Sequence, residues 1–246
     1  MDKIAQRRTS VTSCDWVKYF YKNRREPILP WADGGRLTES ERRAVIPSIQ
    51  QFQLGEGASG ARMLECAKRF SQETGDLELV AVLTLFLCEE QRHSRTLARF
   101  LAVENAPCLR RHWVHMMFRW LRGLAGLELF LKVLVTAEVL ARPYYAALRD
   151  ATGSLLLRSI SQRIFDEEGA HLRFQSFLLS RFQNRQRPLT QALIKMSHAA
   201  LLASTAALVW MEHNAVFRSA GRSFRQFWGE TWREFRALYR STPSAL

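Results

Sequence analysis

The chain has 246 residues, enough for one domain with a full core and additional elements. Hydrophobic residues make up 47% and charged residues 24%, as in an ordinary globular protein, and 12 glycines and 7 prolines are too few for a strand-and-turn architecture of this length. The net charge of +13 permits an anionic partner, but the basic residues are scattered and no RNA-binding motif is present. We therefore expect a solvated basic surface and no specific nucleic-acid partner.

The cysteine spacing and the apolar stretches indicate the cellular compartment of the protein. The four cysteines show no CxxC spacing and the N-terminal region has no apolar stretch typical of a secretory signal, which indicates reduced thiols in a cytoplasmic protein. The most apolar stretch, residues 193–211, contains Lys195, His198 and many small residues. This composition favours a buried helix over a membrane span, so a membrane is not an expected partner.

The N-terminal part of the chain predicts one short helix and then a long one. Residues 11–24 are aromatic-rich and helical in pattern, and a break rich in proline and glycine follows. Thr38 and Glu41 form a capping box, which predicts the start of the first core helix. We expect this helix to continue, with an interruption at Pro47, to about residue 74. Glu56 lies inside it among glycines and alanines, which indicate either close helix packing or open space beside Glu56 for oxygen or substrate.

Three further core helices follow from the helical spacing of apolar residues. They are predicted over residues 77–103, 127–151 and 154–182. Residues 110–126 are basic and aromatic and fit a long crossover between the second and third core helices. Its histidines, His112 and His115, are interpreted as surface or packing residues.

The third core helix contains a proline and two tyrosines. Pro143 should kink this helix or shift its hydrogen bonding. Tyr145 lies two turns from Glu138 on the same face, so it is either a core residue or a hydrogen-bonding group near Glu138.

The C-terminal part predicts two more helices, over residues 189–212 and 215–239. The second has an aromatic face and many arginines, so it should pack on the bundle or on a partner. The predicted organisation is an N-terminal helical arm (1–40), a four-helix bundle (41–185) and a C-terminal helical extension (186–246).

The core helices carry a repeated pattern of metal-binding side chains. Glu90 and His93, and likewise Glu168 and His171, are three residues apart and so share one helix face. Each pair is preceded, about one helix earlier, by a mid-helix glutamate. The predicted metal ligands are therefore Glu56, Glu90, His93, Glu138, Glu168 and His171. Four carboxylates facing one core repel one another, and two divalent cations would cancel that charge. Glutamate and histidine together suit iron or manganese.

These six positions resemble the ligand set of the ferritin-like di-iron carboxylate superfamily, over about residues 45–182. Within that range, QFQLGEG and FLCEEQRHSRTLARFL are similar to a bacterial group of ferritin-like proteins. The resemblance implies an all-α, ferritin-like four-helix bundle with a long crossover between helices 2 and 3, to which this chain adds the predicted helical extensions at both ends. The same core could form within one chain or in a homodimer.

The resemblance also implies a chemistry. Two iron ions, or manganese, or a mixed Mn/Fe pair, would react with O2 and oxidise a small organic substrate. Electrons would come from an external donor, since no flavin or ferredoxin motif is present. Two alternatives stay open at this point. One is a ferroxidase or peroxide-handling protein, and the other is a non-catalytic scaffold that keeps the metals for stability.

Overall fold

The computed structural model describes residues 11–57, 60–112, 127–183 and 187–240. Every regular element in these ranges is helical, which confirms the predicted all-α class. The helices within these ranges are α1 (Ser13–Asn23), α2 (Glu39–Glu56), α3 (Ala61–Thr74), α4 (Leu79–Val103), α5 (Leu127–Asp150), α6 (Leu155–Gln183), α7 (Pro188–Ser219) and α8 (Phe224–Arg240), with a 3₁₀ turn at Trp31–Asp33.

Four helices form the bundle that contains the site. α5 packs along α6, α2 packs along α4, and α4 contacts α6 between the two pairs. Large side chains from three of these helices, including Phe86, Phe100, Leu148 and Phe174, are fully buried in one continuous core. The apolar faces predicted by helical periodicity are therefore the faces that meet inside the bundle.

Local side-chain chemistry fixes where α2 begins. The Thr38 backbone N–H donates to Glu41 Oε2 over 2.8 Å, and the Thr38 hydroxyl accepts from the Glu41 backbone N–H. This is the capping box predicted from the sequence, and it satisfies two backbone donors at the helix start. A second capping box, between Thr12 and Asp15, starts α1.

The first core helix is shorter than predicted. It passes through Pro47 without a break, with Ile46 and Ile49 buried on either side of the proline, so the expected interruption is wrong. It ends at Glu56, and a separate helix, α3, begins at Ala61. The physical reason lies at Gly60, which has a φ of +63° that only glycine adopts readily and leaves no room for a Cβ beside the Leu87 side chain.

The C-terminal helices also have different bounds from those predicted. α7 continues past residue 212 to Ser219, because no helix-breaking residue precedes Gly221, whose φ of +69° makes the turn. α8 then packs on α5, α6 and α7 and buries Phe227 and Phe235.

Helix α7 is long and apolar enough to cross a membrane, judged by length and composition alone; no other helix in the described part of the chain is. Only 28% of the most apolar window of α7 is buried, which is less than the predicted buried helix implies, and Leu189, Leu193 and Met211 are exposed.

The four cysteines Cys14, Cys66, Cys88 and Cys108 are free. α5 contains Pro143 within one continuous helix, and the predicted kink or shift in hydrogen bonding there stays a prediction. Most of the predicted crossover, from residue 113 to 126, lies outside the described residues.

Candidate metal centre

The structure brings all six predicted residues together inside the bundle. Three groups of described residues could hold a metal ion, and two of them contain the predicted ligands. One consists of Glu56, Glu90, His93 and Glu168, and the other of Glu90, Glu138, Glu168 and His171; the third, Glu89, His93 and Glu167, adjoins them. Within each group the potential ligand atoms lie within 4.8 Å of one another. Glu90 and Glu168 belong to both groups, so the arrangement is that of two adjoining metal positions with two shared carboxylates. That these side chains bind metal remains a prediction.

The helical spacing explains how the ligand atoms converge. Glu90 and His93 lie one turn apart on α4, and Glu168 and His171 lie one turn apart on the facing α6. The Nδ1 atom of His171 is 2.9 Å from Glu90 Oε1 and 3.3 Å from Glu168 Oε2. The Nδ1 atom of His93 is 3.4 Å from Glu168 Oε1. Both imidazoles thus present Nδ1 to the shared carboxylates.

Several of these buried atoms have no hydrogen-bond partner. They are both carboxylate oxygens of Glu168, Glu90 Oε1, the Nδ1 atoms of His93 and His171, and His171 Nε2. A buried polar atom without a partner costs about 1–3 kcal/mol, and six of them in one place would be strongly unfavourable. Metal ions between the two histidines would satisfy five of them at once, all except His171 Nε2. The donor set and its orphaned atoms therefore fit a pair of metal ions, with nitrogen and oxygen ligands that suit iron or manganese.

The charges of the cluster are strongly coupled. Burial lowers the pKa of His93, but the carboxylates of Glu167 and Glu168 outweigh burial and raise that pKa to about 10. Burial raises the pKa of Glu168, but His171 and His93 outweigh burial and lower it to about 2. For Glu56, burial and repulsion from Glu90 and Glu168 both raise the pKa. The site is therefore a buried, carboxylate-rich cluster that is able to take up cations, whether protons or metals.

One of the two histidines is supported by a carboxylate from the other motif. His93 Nε2 is 2.7 Å from Glu167 Oε2, and Glu167 precedes the candidate ligand Glu168. Such a carboxylate fixes the ring orientation of a metal-binding histidine. His171 Nε2 is 4.0 Å from Glu89 Oε2, which is too long for a hydrogen bond, and Glu89 precedes the candidate ligand Glu90. In the sequence, Glu89 and Glu167 could be noticed because each directly precedes a predicted ligand. The spacing did not show whether their side chains face the site.

One buried arginine joins the two supporting carboxylates. Arg92 donates to Glu89 Oε1 over 2.8 Å and to Glu167 Oε1 over 2.7 Å, and also to the carbonyl oxygen of Asn23 in α1. Burial raises the pKa of Glu167, but His93, Arg92 and Arg163 outweigh burial and lower it to about 2. Asp166, the other acidic neighbour in sequence, is exposed.

The remaining glutamates each accept a hydrogen bond from α5 or α6. The Tyr145 hydroxyl donates to Glu56 Oε1 over 2.8 Å, and Gln175 Nε2 donates to Glu138 Oε1 over 2.9 Å. Tyr145 is fully buried. Tyr145 is therefore a core residue and also a hydrogen-bond donor to a residue of the site, so both roles considered for it apply.

A cavity of about 150 Å³ lies between α2, α5 and α7 and reaches the cluster. All four glutamates of the cluster line it, whereas His93 and His171 do not. Its other walls are mostly apolar and include Phe52, Leu134, Ala137, Leu140, Ala141 and Val209. Gly55 also lines the cavity and has open space where a Cβ would stand, whereas Gly60 packs closely on α4. Close packing is thus found at Gly60 and open space at Gly55, and the use of that space by oxygen or substrate stays a prediction.

Two cavity residues had no predicted role in the site. His112, interpreted from sequence as a surface or packing residue, and His213 both line the cavity. Neither has a local spacing signal, because their positions depend on where α7 and the start of the crossover meet α2.

Comparison with known proteins gives no match among protein-family models and none among curated proteins. Among solved structures, the chain is similar to a mutant R2-like ligand-binding oxidase with an aerobically reconstituted Mn/Fe cofactor. The TM-score is 0.68 and the sequence identity 16%, over 92% of this chain and 91% of that one. This likeness confirms the ferritin-like helical fold predicted from the sequence. The buried cluster that the fold holds is able to bind a pair of metal ions.

Proposed function

We propose that the protein is a di-metal carboxylate oxidase or oxygenase that uses two iron ions, or a mixed Mn/Fe pair, to activate O2 and oxidise a small organic molecule. The observation that carries this proposal is a doubled carboxylate–histidine cluster that opens, through its four carboxylates, onto a mostly apolar cavity. The similar solved structure is called an oxidase and carries Mn and Fe, which supports the proposal.

The residues divide naturally into roles. Glu90 and Glu168 would contribute to holding both metals, because they belong to both groups. Glu56 and His93 would complete one position, and Glu138 and His171 the other. When bound and reduced, such a metal pair supplies electrons to O2 and so generates the oxidant. Tyr145, Gln175 and Glu167 would hold the ligands Glu56, Glu138 and His93 in place.

The cavity would place the substrate beside the carboxylate side of the centre. Its apolar walls, such as Phe52, Leu140 and Val209, would exclude water from the reacting atoms. An apolar cavity at the centre favours an organic substrate over the oxidation of iron alone. Electrons would come from a separate donor, and the free cysteines fit a reducing, cytoplasmic location.

The test is to express the protein with added iron, reduce it without oxygen, and then expose it to O2. We expect about two irons per chain, a transient visible absorption band and O2 consumption above that of free iron. The control is Glu73→Gln, an exposed carboxylate outside the cluster. A folded protein that takes up little or no metal would overturn the proposal, whereas one that binds two irons but consumes no O2 would favour the non-catalytic scaffold.

A further inference from the structure

The cavity wall carries a histidine, His213, that belongs to neither metal position. It is buried, and its Nδ1 is 2.8 Å from the hydroxyl of Ser48, which itself donates to the Tyr144 hydroxyl over 2.9 Å. Nδ1 is therefore occupied. Nε2 is the ring nitrogen left for a molecule in the cavity, and no described residue bonds to it.

The hydrogen-bond chain determines what His213 offers. Ser48 has one hydroxyl proton, and in the arrangement observed it goes to Tyr144. His213 Nδ1 must then carry the proton that bonds Ser48, which makes Nε2 an acceptor. Burial and the nearby His112 lower the pKa of His213 to about 3, so the ring is neutral at ordinary pH. His213 thus presents a neutral acceptor suited to an O–H or N–H group.

The size and walls of the cavity limit the ligand. An apolar cavity of about 150 Å³ holds one benzene ring. Phe52 lines the cavity, and its ring is stacked on Tyr144 with centroids 3.5 Å apart and planes at 3°, which gives a fixed aromatic wall. The four carboxylates of the cluster face the same space and disfavour an anion.

We propose that this cavity binds a neutral single-ring aromatic molecule bearing a hydroxyl or amino group, which donates to His213 Nε2 while the ring packs on Phe52. The proposal rests on the proposed function in one respect, since the bound molecule would be the substrate of the metal centre. Binding itself needs only residues that are already in place without metal.

The experiment measures binding of phenol and benzene to the full-length, metal-free protein by calorimetry. Phenol should bind about fivefold more tightly than benzene, the factor that one net hydrogen bond provides. His213→Phe keeps a ring of similar size and should remove that preference. His213→Gln retains a hydrogen-bonding group and should keep part of it. Ala137→Leu, which fills the cavity from α5, should weaken both ligands alike.

Three results would overturn the proposal. They are equal binding of phenol and benzene to the wild type, an unchanged preference in His213→Phe, and tighter binding of a long-chain alcohol than of phenol. If His213→Phe does not fold, the proposal is tested by two measurements: the preference of the wild type for phenol over benzene, and the partial retention of that preference in His213→Gln. A centre that fails to load iron would leave phenol binding intact, so failure of this inference is distinguishable from failure of the proposed function.

Discussion

Glu168 is one of the two residues that both candidate metal positions share, the other being Glu90. Both of its oxygens are buried without hydrogen-bond partners, and it belongs to both groups. Glu168→Ala should therefore impair binding of both metals, whereas His171→Ala should lose the metal at its own position. Metal content per chain and helical content by circular dichroism check this, with Glu73→Ala as the exposed control. Two metals per chain in either variant would show that the ligand assignment is wrong.

Glu167 should act on metal affinity without being a ligand. It accepts from Arg92 and contacts His93 Nε2, so Glu167→Gln would remove the charge that orients the ring. Loss of such a support typically lowers metal affinity about 10–100-fold. Competition with a chelator measures the change, and Asp166→Asn, at the exposed neighbouring position, is the matched control. Equal affinity in the two variants would rule out this role for Glu167.

His198 should make the fold sensitive to acid. It bonds Thr136 and Tyr239, and burial together with repulsion from Lys132 lowers its pKa to about 4. The folded pKa lies below the unfolded value of about 6.5, so this stabilisation is present above pH 6.5 and is lost as pH falls towards 4. The loss is about 3 kcal/mol across that range.

Denaturant unfolding at several pH values tests the role of His198. His198→Gln retains hydrogen bonding but cannot titrate, so its free energy of unfolding should fall less between pH 6.5 and 4 than that of the wild type. Ser197→Ala, at the exposed neighbouring position, should keep the wild-type slope. Identical slopes in wild type and His198→Gln would contradict this explanation.

At the scale of the helices, the break between α2 and α3 depends on Gly60. Its positive φ costs a residue with a Cβ about 1–2 kcal/mol, and its Cβ would overlap Leu87. Gly75 also has a positive φ but has open space around it. Gly60→Ala should therefore lower the free energy of unfolding more than Gly75→Ala. Both variants carry the backbone strain, so the difference between them measures the steric overlap with Leu87. Thermal or denaturant unfolding of the two variants measures it; equal effects would mean that Leu87 moves aside freely.

The sequence predicted the centres of the helices better than their ends. Apolar periodicity and the two Glu-x-x-His pairs depend on residues one turn apart, and α4, α5 and α6 lie where these patterns placed them. The end of α2 was missed because the glycines after Glu56 are compatible with either a weak helix or a break. The end of α7 was missed because its turn glycine, Gly221, lies well beyond the predicted boundary.

The candidate site was predictable only as far as local spacing reaches. Glu90, His93, Glu168 and His171 could be paired because each pair shares one helix face. The roles of Arg92, Glu167 and His213 depend on which helices face one another, and a single sequence does not carry that information. Among the residues without a predicted role, Glu89 and Glu167 were the nearest to being predictable, because each is adjacent in sequence to a predicted ligand.

For the whole molecule, metal binding should be part of stability. The orphaned polar atoms of the cluster are buried in the folded chain, and unfolding disperses the site. A ligand present at 100 times its dissociation constant stabilises the folded state by about 2.7 kcal/mol. Chelation should therefore lower the melting temperature of the metal-loaded protein, and Glu168→Ala should be insensitive. A wild type that melts at the same temperature with and without metal would contradict this expectation.

The contact between Glu167 and His93 has a consequence for how far the two candidate metal positions are independent. Glu167 belongs to the second motif but supports a histidine of the first, and Arg92 ties it to Glu89 of the first motif. Loss of the second motif would therefore remove the hydrogen-bond partner of His93 as well as Glu168 and His171. We expect the first position to lose metal affinity together with the second, and not to persist as a separate one-metal site.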